Sequence, residues 1–161
     1  MSIAYLSDFS LSLSEMKFDM KDRPMSNENN QISVGIGSKI RGIEGIESFN
    51  YASDVAFFVF LGDEEGVDEK HTKWSESNLE FLNGTEHYFY ANFTINFSLE
   101  NELEVDGNGD PVIPGEISQS IMNSTEPYFR ELLSNTFSRS AMATPPIPVQ
   151  FWKNTYETEW F

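Results

Sequence analysis

The chain has 161 residues, of which 26 are acidic and 10 basic, so its formal net charge is −16. Such a negative surface repels phosphate groups, which excludes nucleic acid as a partner, disfavours anionic membranes, and favours either a basic partner or simply a well-hydrated surface. The absence of cysteine excludes disulfides, thiol chemistry and cysteine-ligated zinc sites.

The first predicted element is a strand within residues 1–20. Apolar side chains alternate from Phe9 to Leu13 and again from Met16 to Met20, with a slip of one position between the two runs. A β-bulge would return both runs to the same face of a sheet. We therefore predict a bulged first strand.

Two further strands are predicted in residues 32–61, after a polar, Asn-rich loop at residues 21–31. In the first of them Gly35 and Gly37 alternate with apolar side chains, which indicates close approach by another backbone. The Gly-rich residues 41–53 could extend the sheet irregularly. Residues 55–61 are apolar on both faces, so this strand must be covered twice.

The most regular alternation follows a long acidic insertion at residues 63–86. From Phe89 to Leu99 every second side chain is apolar, while the intervening positions begin with Tyr88 and Tyr90 and continue as polar residues. This period of two is typical of a half-buried strand. Residues 100–115, rich in Gly, Asp and Pro, are predicted to form a loop.

A helical segment is predicted at residues 116–139. Pro127 suits the first turn of a main helix capped by Thr125 or Glu126, and an apolar stripe with helical spacing continues to Phe137. Pro-rich residues 140–161 form an extended tail. The order of elements predicts one α+β domain spanning residues 1–161, a four-stranded antiparallel sheet with a C-terminal helix packed on one face.

No motif indicates catalysis, a cofactor or a metal. Asp106 to Asp110 resembles the start of a calcium-binding loop, but Pro111 replaces the required glycine and Ile117 the bidentate glutamate, so a tight turn is the better interpretation. His71 and His87 lack a zinc-binding spacing, and Gly-x-Ser-x-Gly is absent. We therefore predict a protein that is not an enzyme.

The aromatic side chains of the strands are the candidates that remain. Most should belong to the core, yet Phe58 and Phe60 on one strand and Tyr88 and Tyr90 on another exceed what one helix can cover. An aromatic groove on a rigid sheet suits sequence-tolerant binding of apolar segments.

Four short motifs resemble the closing signature of the SecB family of export chaperones. They are Phe-Ser-Leu-Glu at residues 97–100, Pro-Tyr-Phe-Arg-Glu at 127–131, Ser-Arg at 138–139 and Pro-Val-Gln-Phe at 148–151. The resemblance covers residues 32–151 and is specific from Phe97 onward. It implies a cytoplasmic homotetramer, or a dimer, that holds unfolded polypeptides in apolar grooves without ATP.

The candidate partner-binding residues are aromatic and acidic side chains. Clients would contact Phe58, Phe60, Tyr88 and Tyr90, with Phe151 and Trp152 near them. A SecA-like motor would dock on acidic residues, for which the candidates are Asp63, Glu64, Glu65 and Glu100. Because residues 21–31 and 63–86 depart from the family, the alternative is a SecB-like module dedicated to one partner, such as an antitoxin or a phage or host protein.

Neither signal peptide nor membrane-spanning run is recognisable, since the longest apolar run is only strand-sized.

Overall fold

The computed structural model describes residues 6–20, 33–47, 49–63, 65–67, 87–140, 145 and 147. Four strands form one sheet: β1 (Phe9–Asp19), β2 (Ser33–Glu47), β3 (Asn50–Gly62) and β4 (Tyr88–Ser98). Their order across the sheet is β1-β4-β3-β2, so β1 and β2 are the edge strands. A single long helix, α1 (Gly115–Arg139), follows. The predicted fold class, an antiparallel sheet with a C-terminal helix, is confirmed.

Side-chain hydrogen bonds show the register of the two central strands. Thr94 Oγ1 donates to Asp54 Oδ1 over 2.7 Å, and Ser98 Oγ donates to Asn50 Oδ1 over 2.6 Å. Partner numbers rise on one strand as they fall on the other, which defines antiparallel pairing. In this register the even-numbered side chains of β3 and β4 share one face of the sheet.

Strand β3 is covered on both of its faces, as the sequence predicted. Each residue from Val55 to Leu61 is buried, whichever face it occupies. Strand β4 departs from the predicted alternation: Tyr88, Tyr90 and Asn92 are buried on the face that the sequence assigned to solvent. Only from Thr94 onward does that face become partly exposed.

The Gly-rich segment after residue 40 forms regular strand rather than an irregular extension. β2 runs to Glu47, and β3 begins at Asn50. Phe49 makes the turn with a left-handed φ of 69°, and its carbonyl accepts a hydrogen bond from Leu99 N over 2.8 Å. The connection is therefore a tight hairpin that also touches the end of β4.

Two contacts of β1 agree with the predicted bulge. Asn92 Nδ2 donates to Ser14 Oγ over 2.6 Å, whereas Phe18 packs edge-on against Phe89 with ring centroids 6.2 Å apart. On β4, Asn92 and Phe89 are three residues apart and therefore lie on opposite faces. On β1, their partners Ser14 and Phe18 are four residues apart, a spacing that would put them on the same face of a regular strand. The alternation of β1 must therefore slip between Ser14 and Phe18.

Helix α1 matches the predicted helical segment to within one residue at its start and is continuous through Pro127. Its N-cap is Pro114, with no side-chain capping bond, and Thr125 and Glu126 are buried interior residues rather than caps. Thr125 Oγ1 instead donates to the carbonyl of Ile121 over 2.6 Å. The prediction of a cap at Thr125 or Glu126 was wrong. Proline favours the first turn of a helix locally, but burial of the turns before Pro127 keeps them helical.

After Pro127 the helix packs through residues spaced four apart. Phe129, Leu133 and Phe137 are all buried, whereas Tyr128 remains 47% exposed. Tyr128 meets Phe9 of β1 edge-on, at a centroid distance of 6.4 Å. These buried side chains form the face through which this part of α1 packs.

The arginine of the Pro-Tyr-Phe-Arg-Glu motif has a local partner on the helix. Its Nη2 donates to Glu126 Oε1 over 2.9 Å, and its Nε donates to the same oxygen over 3.2 Å. Glu126 is buried, so Arg130 supplies the charge-assisted hydrogen bonds that a carboxylate needs in such a position.

The chain divides into two compact units, and every strand contributes residues to both. The first unit comprises the described parts of Met1–Ser14, Lys39–Ala56 and Asn92–Thr144, including α1. The second comprises the described parts of Glu15–Ser38, Phe57–Ala91 and Pro145–Phe161.

Candidate functional site

An aromatic cluster occupies the even-numbered face of β3 and β4 in the second unit. The rings of Phe58 and Phe60 stack at a centroid distance of 5.5 Å and an angle of 22°. Tyr90 lies against Phe58 at 4.8 Å, tilted by 36°. Such pairs are worth about 0.5–1.5 kcal/mol each beyond the area that they bury. We call Phe58, Phe60, Tyr88 and Tyr90 the aromatic cluster.

The cluster is buried. Phe58, Phe60 and Tyr90 have no exposed surface, and Tyr88 is 7% exposed. The structure therefore brings together the four strand residues predicted to bind clients, but it does not leave them open to solvent. Phe151 and Trp152, the other two predicted client-binding residues, lie outside the described residues.

A short turn after β3 packs against Gly35 of β2. Val67 is buried, and its Cγ1 overlaps the position that a Cβ on Gly35 would occupy, which is also 3.8 Å from the Cβ of Phe60. Residue 35 must be glycine for Val67 to lie there. The sequence predicted a close approach at this glycine, and a side chain rather than a backbone makes it.

Asp63 holds this turn in place. Its Oδ1 accepts a hydrogen bond from Gly66 N over 2.7 Å, and its carbonyl accepts one from Val67 N over 3.0 Å. Of the other predicted docking residues, Glu65 is exposed in the same turn and Glu100 is exposed in the first unit. Glu64 lies outside the described residues. Asp63 therefore has a structural role in addition to the partner contact predicted for it.

Tyr88, in the aromatic cluster, has a phenol whose pKa is raised by its surroundings. Burial raises the pKa of its phenol, and the negative charges of Asp19 and Glu15 raise it further. Each effect disfavours the phenolate. Tyr88 therefore remains a neutral, amphipathic aromatic side chain throughout the physiological range.

The raised pKa predicts a loss of stability at alkaline pH. The unfolded chain releases this proton near the ordinary value of 10.0, while the folded chain retains it to higher pH. The free energy of unfolding should therefore be unaffected below pH 10 and fall as the pH rises from about 10 through the raised pKa. Between about pH 8 and about pH 11, the free energy of unfolding measured in urea should fall less for Tyr88→Phe than for the parent protein.

A matched control is Tyr128→Phe, because Tyr128 is 47% exposed. This variant should retain the alkaline loss of the parent. Equal pH dependence of the two variants would show that burial of Tyr88 does not govern it.

A polar network crosses the same sheet face in the first unit, and sequence reasoning missed it. The side chain of Asn92 on β4 donates to Ser14 on β1, and its Oδ1 accepts a hydrogen bond from Arg41 Nη1 on β2 over 3.3 Å. Ala56 is the buried β3 residue in that row, and its small side chain lets arginine reach across. The signal in the sequence is the run of polar residues at even positions of β4.

Two open grooves lie on the sheet of the first unit. The larger has a volume of about 410 Å³ and is lined by Gly42, Ile43, Glu44, Ala52, Ser53, Asp54 and Thr94. The smaller, of about 230 Å³, is lined by Asp8, Phe9, Ser10, Ile46, Asn50, Tyr51, Asn96, Phe97 and Ser98. Ser53 Oγ donates to the carbonyl of Gly42, so this hydroxyl is engaged with the backbone rather than with a catalytic base.

Metal-binding geometry is absent from the part of the chain that the structure describes. No group of three or more His, Asp or Glu side chains is placed to hold an ion there. The Asp106 turn is closed by its own backbone, as predicted. His87 begins β4 in a left-handed conformation and its carbonyl accepts from Leu61 N, while His71 lies outside the described residues.

The sequence contains four Asn-x-Ser/Thr motifs. In two of them the asparagine is buried, since Asn92 and Asn123 are each 4% exposed. Among the described helices, none is long and apolar enough to cross a membrane.

Comparison with known proteins finds similarity in structure but not in sequence. No family model matches the sequence, and no curated protein matches it. Among solved structures, the chain is similar to the SecB-like chaperone Rv1957 of Mycobacterium tuberculosis, determined in complex with a ChAD peptide from the antitoxin HigA1 (Rv1956). The TM-score is 0.49, sequence identity is 9%, and the match covers 86% of each chain.

Proposed function

We propose that this protein is a single-domain, ATP-independent holdase of SecB type that binds unfolded polypeptides through apolar surface. The observation that carries the proposal is the aromatic cluster, in which Phe58, Phe60 and Tyr90 stack across two central strands. Aromatic rings bind many apolar side chains with little dependence on sequence. The closing motifs at residues 97–151, which resemble SecB, support the same function.

Burial of the cluster sets a condition on the mechanism. A client must displace the side chains that cover these rings, so its net binding free energy is the difference between two apolar contacts. Val67, which packs on Gly35, belongs to the turn that Asp63 closes. Unfolded, strongly apolar segments can compete for the cluster, whereas folded proteins with polar surfaces cannot.

The same burial favours one alternative, a module dedicated to a single partner. A covered site discriminates more strongly than an open one, because only a segment that fits closely replaces the contacts that are lost. Such a partner could be an antitoxin or a phage or host protein. Export, with a SecA-like motor that docks on acidic residues, would extend the first proposal.

We also propose that the chain is a homo-oligomer, a dimer or a tetramer. Strand β1 is at the edge of the sheet, and two of its apolar side chains are open: Leu13 is 45% and Met16 is 42% exposed. An edge strand with apolar side chains tends to pair with another chain. Light scattering of the protein alone should therefore give a mass of two or four chains.

The test of the holdase is a reduced, alkylated and permanently unfolded polypeptide added to the full chain. Light scattering should show a complex heavier by the mass of the client, and the client should aggregate more slowly at stoichiometric protein. An unchanged mass and unchanged aggregation would contradict the proposal. Capture of one protein and no general client would favour the dedicated module.

A matched pair of variants tests the aromatic cluster itself. Phe57 and Phe58 are adjacent on β3, equally buried, and on opposite faces. Phe57→Leu and Phe58→Leu should destabilise the fold similarly, but only Phe58→Leu should weaken client binding, by about fivefold, the equivalent of roughly 1 kcal/mol. Equal weakening by both variants would show that the cluster is core and not client surface.

A further inference from the structure

The turn at residues 106–110, between β4 and α1, contains an asparagine followed by a glycine. This order occurs twice in the sequence, at Asn83 and at Asn108. Asn83 lies outside the described residues, whereas Asn108 and Gly109 are both exposed. An Asn-Gly pair is prone to spontaneous deamidation, because glycine has no side chain to hinder attack by its backbone nitrogen on the asparagine amide. Asn108 is therefore a candidate site of covalent change.

The reaction at this pair needs only the chain and water. The backbone nitrogen of Gly109 loses its proton and attacks Cγ of Asn108, so that a new C–N bond forms. The bond from Cγ to the side-chain nitrogen breaks, and that nitrogen takes up a proton and leaves as ammonia. Water then opens the resulting succinimide at one of its two carbonyls, which gives aspartate or isoaspartate. No oxidant or reductant is required.

The closed turn engages the nitrogen that must attack. Gly109 N donates to the carbonyl of Asp106 over 3.0 Å, and Gly109 has a left-handed φ of 82°. The amides on either side of it donate to Oδ1 of Asp106, Asn108 N over 2.8 Å and Asp110 N over 3.0 Å. An N–H group that donates a hydrogen bond is harder to deprotonate. Asp106 therefore holds Gly109 N in an unreactive state.

Backbone pairing at the ends of the turn adds to this protection. Asp106 N donates to the carbonyl of Asp110 over 2.8 Å. Val105 and Pro111, the next residues outward, form an antiparallel bridge. The turn must open locally before Asn108 can react, so the observed rate is the population of the open turn multiplied by the rate in the open chain.

We propose that Asn108 is a site of spontaneous deamidation and that Asp106 sets its rate by keeping the turn closed. Aspartate at position 108 adds a negative charge between two carboxylates. Isoaspartate also transfers the side-chain methylene into the backbone, which lengthens the turn and disrupts the bridge between Val105 and Pro111. The site does not depend on the aromatic cluster, so the proposal stands whether or not the protein is a holdase.

The test is incubation of the full chain at mildly alkaline pH, followed by peptide mapping with mass spectrometry. Aspartate and isoaspartate should accumulate at position 108, more slowly in the folded chain than in the chain unfolded in urea. Asp106→Ala should accelerate the folded reaction by about fivefold, because two N–H groups of the turn lose their acceptor. An unchanged rate in this variant, or no conversion in the unfolded chain, would overturn the proposal.

Asp110→Ala is the matched control, because Asp106 and Asp110 lie at equal distances in sequence from Asn108. The hydrogen bonds that close the turn use the backbone of Asp110 and the carboxylate of Asp106. Both residues are exposed, so both variants should retain the stability of the parent fold. Asp110→Ala should react at the parent's rate, and in urea all three proteins should react alike. Equal acceleration by both substitutions would show that charge rather than turn closure controls the rate, and would overturn the role of Asp106.

Discussion

Replacing Phe129 with alanine is expected to lower the free energy of unfolding by about 3–5 kcal/mol. The ring has no exposed surface and lies in line with Leu133 and Phe137, the other buried residues of the same helical face. Truncation removes the apolar area that the ring buries and leaves a cavity that the neighbours fill only in part. Urea unfolding followed by circular dichroism measures the loss.

The adjacent residue provides the control for Phe129→Ala. Tyr128 is 47% exposed and makes one edge-on ring contact with Phe9, so Tyr128→Ala should cost only about 0.5–1.5 kcal/mol. If both alanine variants were destabilised equally, the buried face of α1 would have been assigned to the wrong side of the helix.

Gly35→Ala is expected to lower the free energy of unfolding by about 1–3 kcal/mol, although it adds a single methyl group. The new Cβ would overlap Val67 Cγ1, and the turn that carries Val67 is held by two hydrogen bonds to Asp63. A branched side chain on a closed turn cannot move aside at little cost, so the strand and the turn must separate. Chemical denaturation of the purified variant measures the effect.

Removing the obstructing methyl groups should reverse this penalty. In a Val67→Ala background, Gly35→Ala should cost close to nothing, so the double-mutant cycle should show a coupling of about 1 kcal/mol or more. Gly107→Ala is the control, because nothing lies within 4 Å of the Cβ that it adds. Additive effects of the two substitutions would show that Val67 does not pack on Gly35.

The strands and the helix were predictable where a single period dominated the sequence. The doubly apolar residues of β3 predicted a strand covered on both faces, and each residue from Val55 to Leu61 is buried. The stripe from Phe129 to Phe137 predicted the helical face that packs. The continuity of α1 through Pro127 was not predictable, because proline is typical of a first turn, and burial of Ile121 and Met122 in the fold keeps the preceding turns helical.

The candidate site was likewise predictable only in part. A period of two was enough to place Phe58 and Phe60 on one side of β3, and antiparallel pairing brought Tyr88 and Tyr90 to that side. Their burial was not predictable, since exposure depends on which other segments pack over a face. The hydrogen bond from Arg41 to Asn92 across Ala56 was not predictable either, because the three residues are far apart in the chain.

The sequence by itself determined the class of fold, the strand and helix segments and the composition of each face, because these follow from side-chain periods of two and 3.6 that act over a few neighbouring residues. Only the tertiary structure decided that the aromatic cluster is covered, that Val67 occupies the space above Gly35, and that Val105, next to the Asp106 turn, is 64% exposed. These features arise from contacts between segments distant in sequence, whose free energies depend on distance and packing rather than on local pattern.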